Sequence, residues 1–225
     1  MMLEAKKILL VGAGGHCLSV LDSLLSSYNY QAVGIVLKDH KKKDEVQVSG
    51  SDNIMGIPIV GNDDDLKRLY LEGYTEAFVA VGSIGDVSLR KKLYQLIKNS
   101  GFNIPNIIDK TSIVSPYANL GEGIYIGKNA VVNAYANIGN FTIINTSSII
   151  EHECIIKDYV HIAPGSIISG KVFVGENTHI GAGSVIKQGI HVGSSSMIGM
   201  GSVVLRDIRD RITAFGNPCE EVKHE

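Results

Sequence analysis

Tryptophan is absent from the 225 residues, and only 3 cysteines and 5 prolines occur. The cysteines, Cys17, Cys154 and Cys219, lie far apart, are odd in number and form no CxxC pair, which excludes a disulfide framework and a thiolate zinc cage. Such cysteine usage fits the cytoplasm. Neither sign of charge dominates: 21 Lys+Arg against 23 Asp+Glu leave a formal charge of −2, so no field draws the chain to nucleic acid or to an anionic membrane. Long apolar runs are missing too. The longest near the start, residues 8–11, stops at a glycine and is far too short for a signal sequence or a membrane span. What the chain has instead is 25 glycines and a large stock of Ile and Val, unevenly spread.

Up to residue 108 short apolar runs alternate with helical patterns, the signature of an α/β unit with a mainly parallel sheet. KILLV at 7–11 is a buried strand; Gly12-Ala13-Gly14-Gly15-His16 follows, and Leu18, Leu21, Leu24 and Leu25 recur at helical spacing. A second strand is expected at 32–37, a solvated loop with a lysine tip at 38–53, and two strand–helix units at 57–71 and 77–99.

From residue 114 the helical period gives way to a period of six. Val114, Leu120, Ile126, Val132, Ile138, Ile144, Ile150, Ile156, Ile162, Ile168, Val174, Ile180, Ile186, Val192, Ile198 and Val204 are in phase without an insertion. The residue four further on is mostly small, as at Ala136, Ser148 and Cys154, and the residue directly after is often glycine. A hexad is a short strand plus a corner, and three hexads close one triangular coil stacked on the next at roughly 4.8 Å. The aliphatic residues fill the prism, the small residues fit a tight second inward position, and the glycines are expected to relieve corners where φ turns positive. The period excludes coiled coils and leucine-rich repeats.

Two places carry candidate chemistry. Strand, glycine turn and helix start at 12–16 present unpaired N–H groups and a positive dipole end to a phosphate. The third glycine of a dinucleotide fingerprint falls on Cys17, so a nucleotide-linked ligand other than NAD fits better, with Asp39 after the second strand placed to accept from a ribose or base. In the repeat, Glu151-His152-Glu153 sets two carboxylates around a histidine at one corner, a base with a neighbour able to fix its tautomer. His161 and His179, one coil apart, are expected to stack on one edge of the prism. No HxxxxH pair occurs, which disfavours a zinc site on the prism, and no metal is expected.

The segment 145–154 (NTSSIIEHEC), followed by His161-Ile162-Ala163-Pro164-Gly165 and Ser169-Gly170, resembles the active-site segment of bacterial hexapeptide-repeat sugar acetyltransferases. The relatives are the UDP-4-amino-sugar N-acetyltransferases of the bacillosamine pathway and the sialic acid O-acetyltransferases. GAGGH at 12–16, and Val81-Gly82 with Arg90, are similar to their nucleotide-sugar subdomain; Gly216-Asn217-Pro218 resembles their coenzyme-closing loop. The resemblance implies a Rossmann-like α/β domain at 1–108 that binds the nucleotide-sugar through Gly12, Gly14, Gly15, His16, Asp39, Gly82 and Arg90. A left-handed parallel β-helix at 109–225 then carries out acetyl transfer. His152 would be the base and Glu153 its orienting partner, with Asn145 at the substrate. His161, Gly170, Ala182, Gly199, Met200, Gly201 and Pro218 would line the acetyl-CoA site, the Gly170 N–H facing the thioester carbonyl. Homotrimers with sites between neighbouring prisms are implied. Family members often carry two acidic residues after the second strand, where this chain has Lys38 before Asp39. An N-acetylated nucleotide-linked amino-sugar is the first expectation, sialic acid O-acetylation the second, and a noncatalytic nucleotide-sugar-binding scaffold the third.

Overall fold

The computed structural model describes residues 6–37 and 53–222. They form two compact units, one reaching to Ser83 and including Ser88–Pro105, the other comprising Ile84–Val87 and the residues from Asn106 on. Lys38, Asp39 and most of the expected polar loop lie outside the described residues.

The first unit is an α/β layer. It runs β1 (Lys7–Val11), α1 (Gly15–Ser27), β2 (Ala32–Val36), β3 (Asn53–Ile54), β4 (Ile57–Gly61), α2 (Leu66–Leu71), β5 (Glu76–Val79) and α3 (Ser88–Asn99). The sheet order is β3-β4-β2-β1-β5, parallel except for the β3–β4 hairpin. Asn53 therefore ends not in the loop but in a strand, because Met55 and Gly56 turn the chain back with positive φ. The helix expected from residue 63 opens as a 3-10 turn, Asp63–Asp65, since the Asn62 side chain accepts the Asp64 N–H and Asp65 accepts the Asn62 N–H. β1 sits in the middle, buried from Ile8 to Val11, against Cys17, Val20, Leu21 and Leu24 of α1. Strands added after β1 go first to one side (β2, then β4) and later to the other (β5), so the topology switches at the carboxyl end of β1.

The second unit is a left-handed β-helix. Two-residue strands pair in parallel with the strands 18 residues before and after, as Ile149↔Ile167 and His161↔His179 show. Three sheets result: a first face of 6 strands starting at Ile113–Val114, a second of 5 starting at Asn119–Leu120, and a third of 8 starting at Ile107–Ile108. The third ends in the antiparallel hairpin Thr213–Gly216 with Cys219–Glu221. In each strand the second residue points inward, and Ile126, Ile144, Ile150, Ile162, Ile168 and Ile180 are fully buried. Where the residue four further on is small it is buried from Ala130 onward, and where it is Ser or Thr its hydroxyl satisfies a corner carbonyl: Ser148 Oγ donates to Asn145 O at 2.6 Å, and Thr178 Oγ1 to Gly193 O at 2.7 Å. That explains why Ser and Thr share this column with Ala, since a buried corner carbonyl left unpaired is costly.

The repeat's glycines do two jobs: Gly123, Gly165, Gly183, Gly189 and Gly201 relieve corners where φ is positive (66° to 73°), as expected, while those directly after the aliphatic do not. Positive φ falls three residues after the inward aliphatic, at Asn129, Ser147, Glu153 and Lys171 (55° to 60°), not one residue after it. The glycine directly after the aliphatic is there for space. A Cβ on Gly139 would stand 2.6 Å from Asp158 N, and one on Gly181 would stand 2.5 Å from Met200 N, both backbone atoms of the next coil. No described helix is long and apolar enough to cross a membrane.

Candidate active site

His152 stands on the edge between the first and second faces, in the corner that follows the inward Ile150. Its backbone is tied to the coils on both sides: Glu153 N–H donates to Ala134 O at 3.1 Å and Lys171 N–H to His152 O at 2.9 Å. Glu153 adopts φ 59°, which turns its side chain back beside the imidazole. His152 Nδ1 lies 3.0 Å from Glu153 Oε2, and Lys171 Nζ approaches the same oxygen at 3.7 Å. A carboxylate only accepts, so Nδ1 carries a proton, and in the neutral ring the lone pair is on Nε2. Nε2 lies over Gly170, one coil on, where a Cβ would come within 2.6 Å of it. Gly170 is thus the residue that leaves room for the ring. Among the described residues its N–H donates no hydrogen bond, while its carbonyl accepts Gly189 N–H at 3.0 Å. His152 and Glu153 are both about half exposed, 48% and 49% of their side chains. The result is an oriented imidazole and an undonated N–H side by side at an open edge.

The remaining candidates of this unit gather elsewhere. His161 and His179 occupy adjacent strands of the third face, so they share a face and not an edge. Their rings meet edge to face, centroids 4.9 Å apart at 83°, and both are buried. Burial without a charged partner pushes the His179 pKa down. Asn145, in the corner after Ile144, orients His161. Its Oδ1 accepts Thr146 N–H at 2.8 Å, which turns Nδ2 toward His161 Nε2 at 3.3 Å. Ala182 and residues 199–201 stack in the same corner column: Gly201 N–H donates to Ala182 O at 2.8 Å, and Met200 is exposed. Gly199 is pressed on by the terminal hairpin, since a Cβ there would lie 2.6 Å from Phe215 Cβ; Pro218 sits in the turn of that hairpin.

Two separate clusters result. His152, Glu153 and Gly170 mark the edge between faces one and two, which is opposite face three, where His161 points outward. In a triangular prism these directions diverge, with on the order of 15 Å between an edge and the opposite face. One chain does not bring His152 and His161 together.

In the first unit, the glycine cluster lies at the carboxyl end of β1, at the topological switch point. Gly12 has φ 113° and packs so closely on Val81 that a Cβ would meet its Cγ2 at 2.4 Å; Gly14 and Gly15 face open space. Gly14 caps α1 with no side-chain hydrogen bond to its first amides. Gly82 adjoins His16, and the buried Arg90 donates from Nη1 to Ser83 Oγ at 3.2 Å, so His16, Gly82 and Arg90 lie along the ends of β1 and β5. Sequence reasoning missed Lys171, although a step of 18 from Glu153 leads directly to it.

The PglD N-terminal domain family matches residues 7–97, and a hexapeptide repeat of succinyl-transferases matches 171–206. A histidine-to-asparagine mutant of perosamine N-acetyltransferase from Caulobacter crescentus, solved with CoA and GDP-perosamine, is 31% identical over 100% of both chains, with a TM-score of 0.87. The chain belongs to the PglD-like sugar acetyltransferases. The acetyltransferase domain of PglB from Neisseria gonorrhoeae, solved with acetyl coenzyme A, is 31% identical over 96% of this chain and 99% of its own, TM-score 0.85. WeeI from Acinetobacter baumannii shares the PglD-like fold at 22% identity, over 96% of this chain and 100% of its own, TM-score 0.76.

Proposed function

We propose that this PglD-like acetyltransferase transfers the acetyl group of acetyl-CoA to the amine of a nucleotide-linked amino-sugar, in the cytoplasm. The observation that carries the reading is the His152–Glu153 pair with Nε2 free beside the Gly170 N–H; the perosamine N-acetyltransferase match favours an amine acceptor over the hydroxyl of a sialic acid. His152 Nε2 accepts the proton that the amine loses as it attacks the thioester carbonyl, and Glu153 stabilises the imidazolium so formed. The Gly170 N–H donates to the developing oxyanion. Breaking the C–S bond releases CoA, which takes up a proton as the free thiol. Residues 1–108 form the nucleotide-sugar-binding domain, with the phosphates at 12–16, and residues 109–225 form the acyltransferase domain, whose terminal hairpin closes the coenzyme groove beside Gly199.

The active species is a homotrimer. Two observations support it. The half-sites of one chain face apart, and the outward column of the first face is aliphatic from Ile113 through Val131, Ile149, Ile167 and Val185 to Val203, with Ile113 and Ile167 exposed. A heterologous contact repeated in a closed ring covers such a face and brings His152 of one copy toward His161 of the next. Free-thiol release from acetyl-CoA, measured with UDP- and GDP-linked 4-amino-sugars and with sialic acid, tests the reading. Release with an amino-sugar nucleotide is expected; release with none of them overturns it.

A further inference from the structure

The edge that carries His152 and Glu153 also carries two tyrosines the fold does not need. Tyr117 and Tyr135 occupy the same corner position as Glu153, two coils and one coil before it, and Tyr135 N–H donates to Tyr117 O at 3.2 Å. Their rings lie together, centroids 5.9 Å apart and 34° from parallel, with 65% and 61% of the residues exposed. Neither belongs to the core that fills the prism. Tyr135 has φ 62°, which it shares with the corner aromatics Phe141 and Tyr159 (58° and 59°); what sets the Tyr117–Tyr135 pair apart is exposure, since Phe141 is buried. Two large apolar rings held in solvent at such a corner contribute nothing to the aliphatic interior, so the use of the pair lies outside the fold.

The geometry points to an acceptor subsite: Tyr135, backed by Tyr117, packs its ring against the pyranose of the amino-sugar being acetylated. This rests on the function proposed above. His152 Nε2 leans over Gly170, so the thioester side of the site is the coil after His152. The other side of the ring borders the coil before it, which presents the small Ala134 and the exposed Tyr135 and leaves an open approach along the edge to Nε2. Neighbouring coils are about 4.8 Å apart, close to the width of one pyranose. A sugar whose amine sits at Nε2 therefore spreads over Tyr135, and its C–H face and the aromatic face are complementary apolar surfaces, while the phenol oxygen remains available to a hydroxyl.

Steady-state kinetics on the full chain test this, varying a nucleotide-linked 4-amino-sugar at saturating acetyl-CoA and the reverse, with sedimentation of each variant. Tyr135→Ala is expected to raise the acceptor KM about tenfold while the acetyl-CoA KM stays within twofold, and Tyr135→Phe to stay within about threefold, because stacking uses the ring. Tyr117→Ala is expected to show a smaller shift in the same direction. A Tyr135→Ala enzyme whose acceptor KM is unchanged, or whose assembly dissociates, overturns the subsite, the second outcome assigning the pair to an interface between copies. A wild-type chain that releases no CoA with any amino-sugar nucleotide overturns instead the function on which the subsite rests, and the subsite with it.

Discussion

A single methyl group added at Gly170 separates the chemistry of this site from its stability. The alanine Cβ would stand 2.6 Å from His152 Nε2, 2.7 Å from Cε1 and 3.2 Å from Cδ2, where ordinary contacts begin near 3.4 Å. The imidazole must withdraw by about 0.8 Å, and because it is half exposed it can swing into solvent without disturbing the coil. Gly170 does not adopt positive φ, so the alanine backbone is unstrained. The fold should therefore hardly notice, with Tm within about 2 °C of the parent. Catalysis should notice: a displacement of about 1 Å costs roughly 10²-fold, or about 2.7 kcal/mol of barrier. Gly139→Ala is the control, because its Cβ meets Asp158 N and Lys157 C at 2.6 Å, backbone atoms that cannot swing away. Overpacking there should cost about 1–3 kcal/mol and lower Tm by several degrees. Both variants are assayed by free-thiol release and thermal melting. A Gly170→Ala enzyme that keeps more than half its turnover would show that Nε2 over Gly170 is not where the proton is taken.

Removing the base altogether, His152→Ala, should lower kcat by about 10²- to 10⁴-fold with acetyl-CoA binding kept, whereas Glu153→Gln should lose less, since it weakens the imidazolium without removing it; calorimetric titration of acetyl-CoA beside kinetics checks both. Ile167→Glu on the first face should dissociate the assembly and abolish turnover while far-UV dichroism stays that of the parent; an active monomer would refute the shared site. Burial depresses the His179 pKa below its ordinary 6.5, so the unfolded chain binds the proton first and stability is fully present above about pH 6.5 and lost as pH falls through the folded value. Urea midpoints measured from pH 7.5 to 5 should therefore fall less steeply for His179→Gln than for the parent.

The β-helix was legible because every coil needs the same aliphatic residue inside, and a requirement repeated at a fixed step leaves its period in the text. The small residues of the second inward position were legible too, but what the glycine directly after each aliphatic is for was not. A glycine at Gly139 or Gly181 reports that a Cβ is unwelcome, but a period cannot say whether φ or a neighbouring backbone excludes it, and here it is the neighbour. The register of 18 also held more than was drawn from it: Tyr135 and Lys171 follow from Glu153 by one step in either direction. The His152–Glu153 pair was readable from its residues, since adjacent groups in a tight corner have few ways to miss each other. Placing His161 and His179 on a face required the strand phase, which fixes that the residue before the inward isoleucine points out. In the first unit the strands were readable from their apolar runs, but the opening of α2 turned on one side-chain cap at Asn62.

The hexad divides labour among its positions, and that division decides what a second copy must supply. Stability resides in the inward column, buried from Ile126 to Val204, and in the hydroxyls that close its corners. The candidate chemistry resides in corner residues and outward strand residues, which the interior does not constrain; this is why a histidine, two carboxylates and a pair of tyrosines can stand in successive coils of a regular solenoid. In the proposed reading one chain does not complete the site, because the His152 edge and the face opposite it point apart. No substitution within a single prism repairs that. In the proposed trimer a neighbour turns its third face toward the His152 edge, so that in this reading assembly supplies half of the catalytic surface and the aliphatic first face favours it.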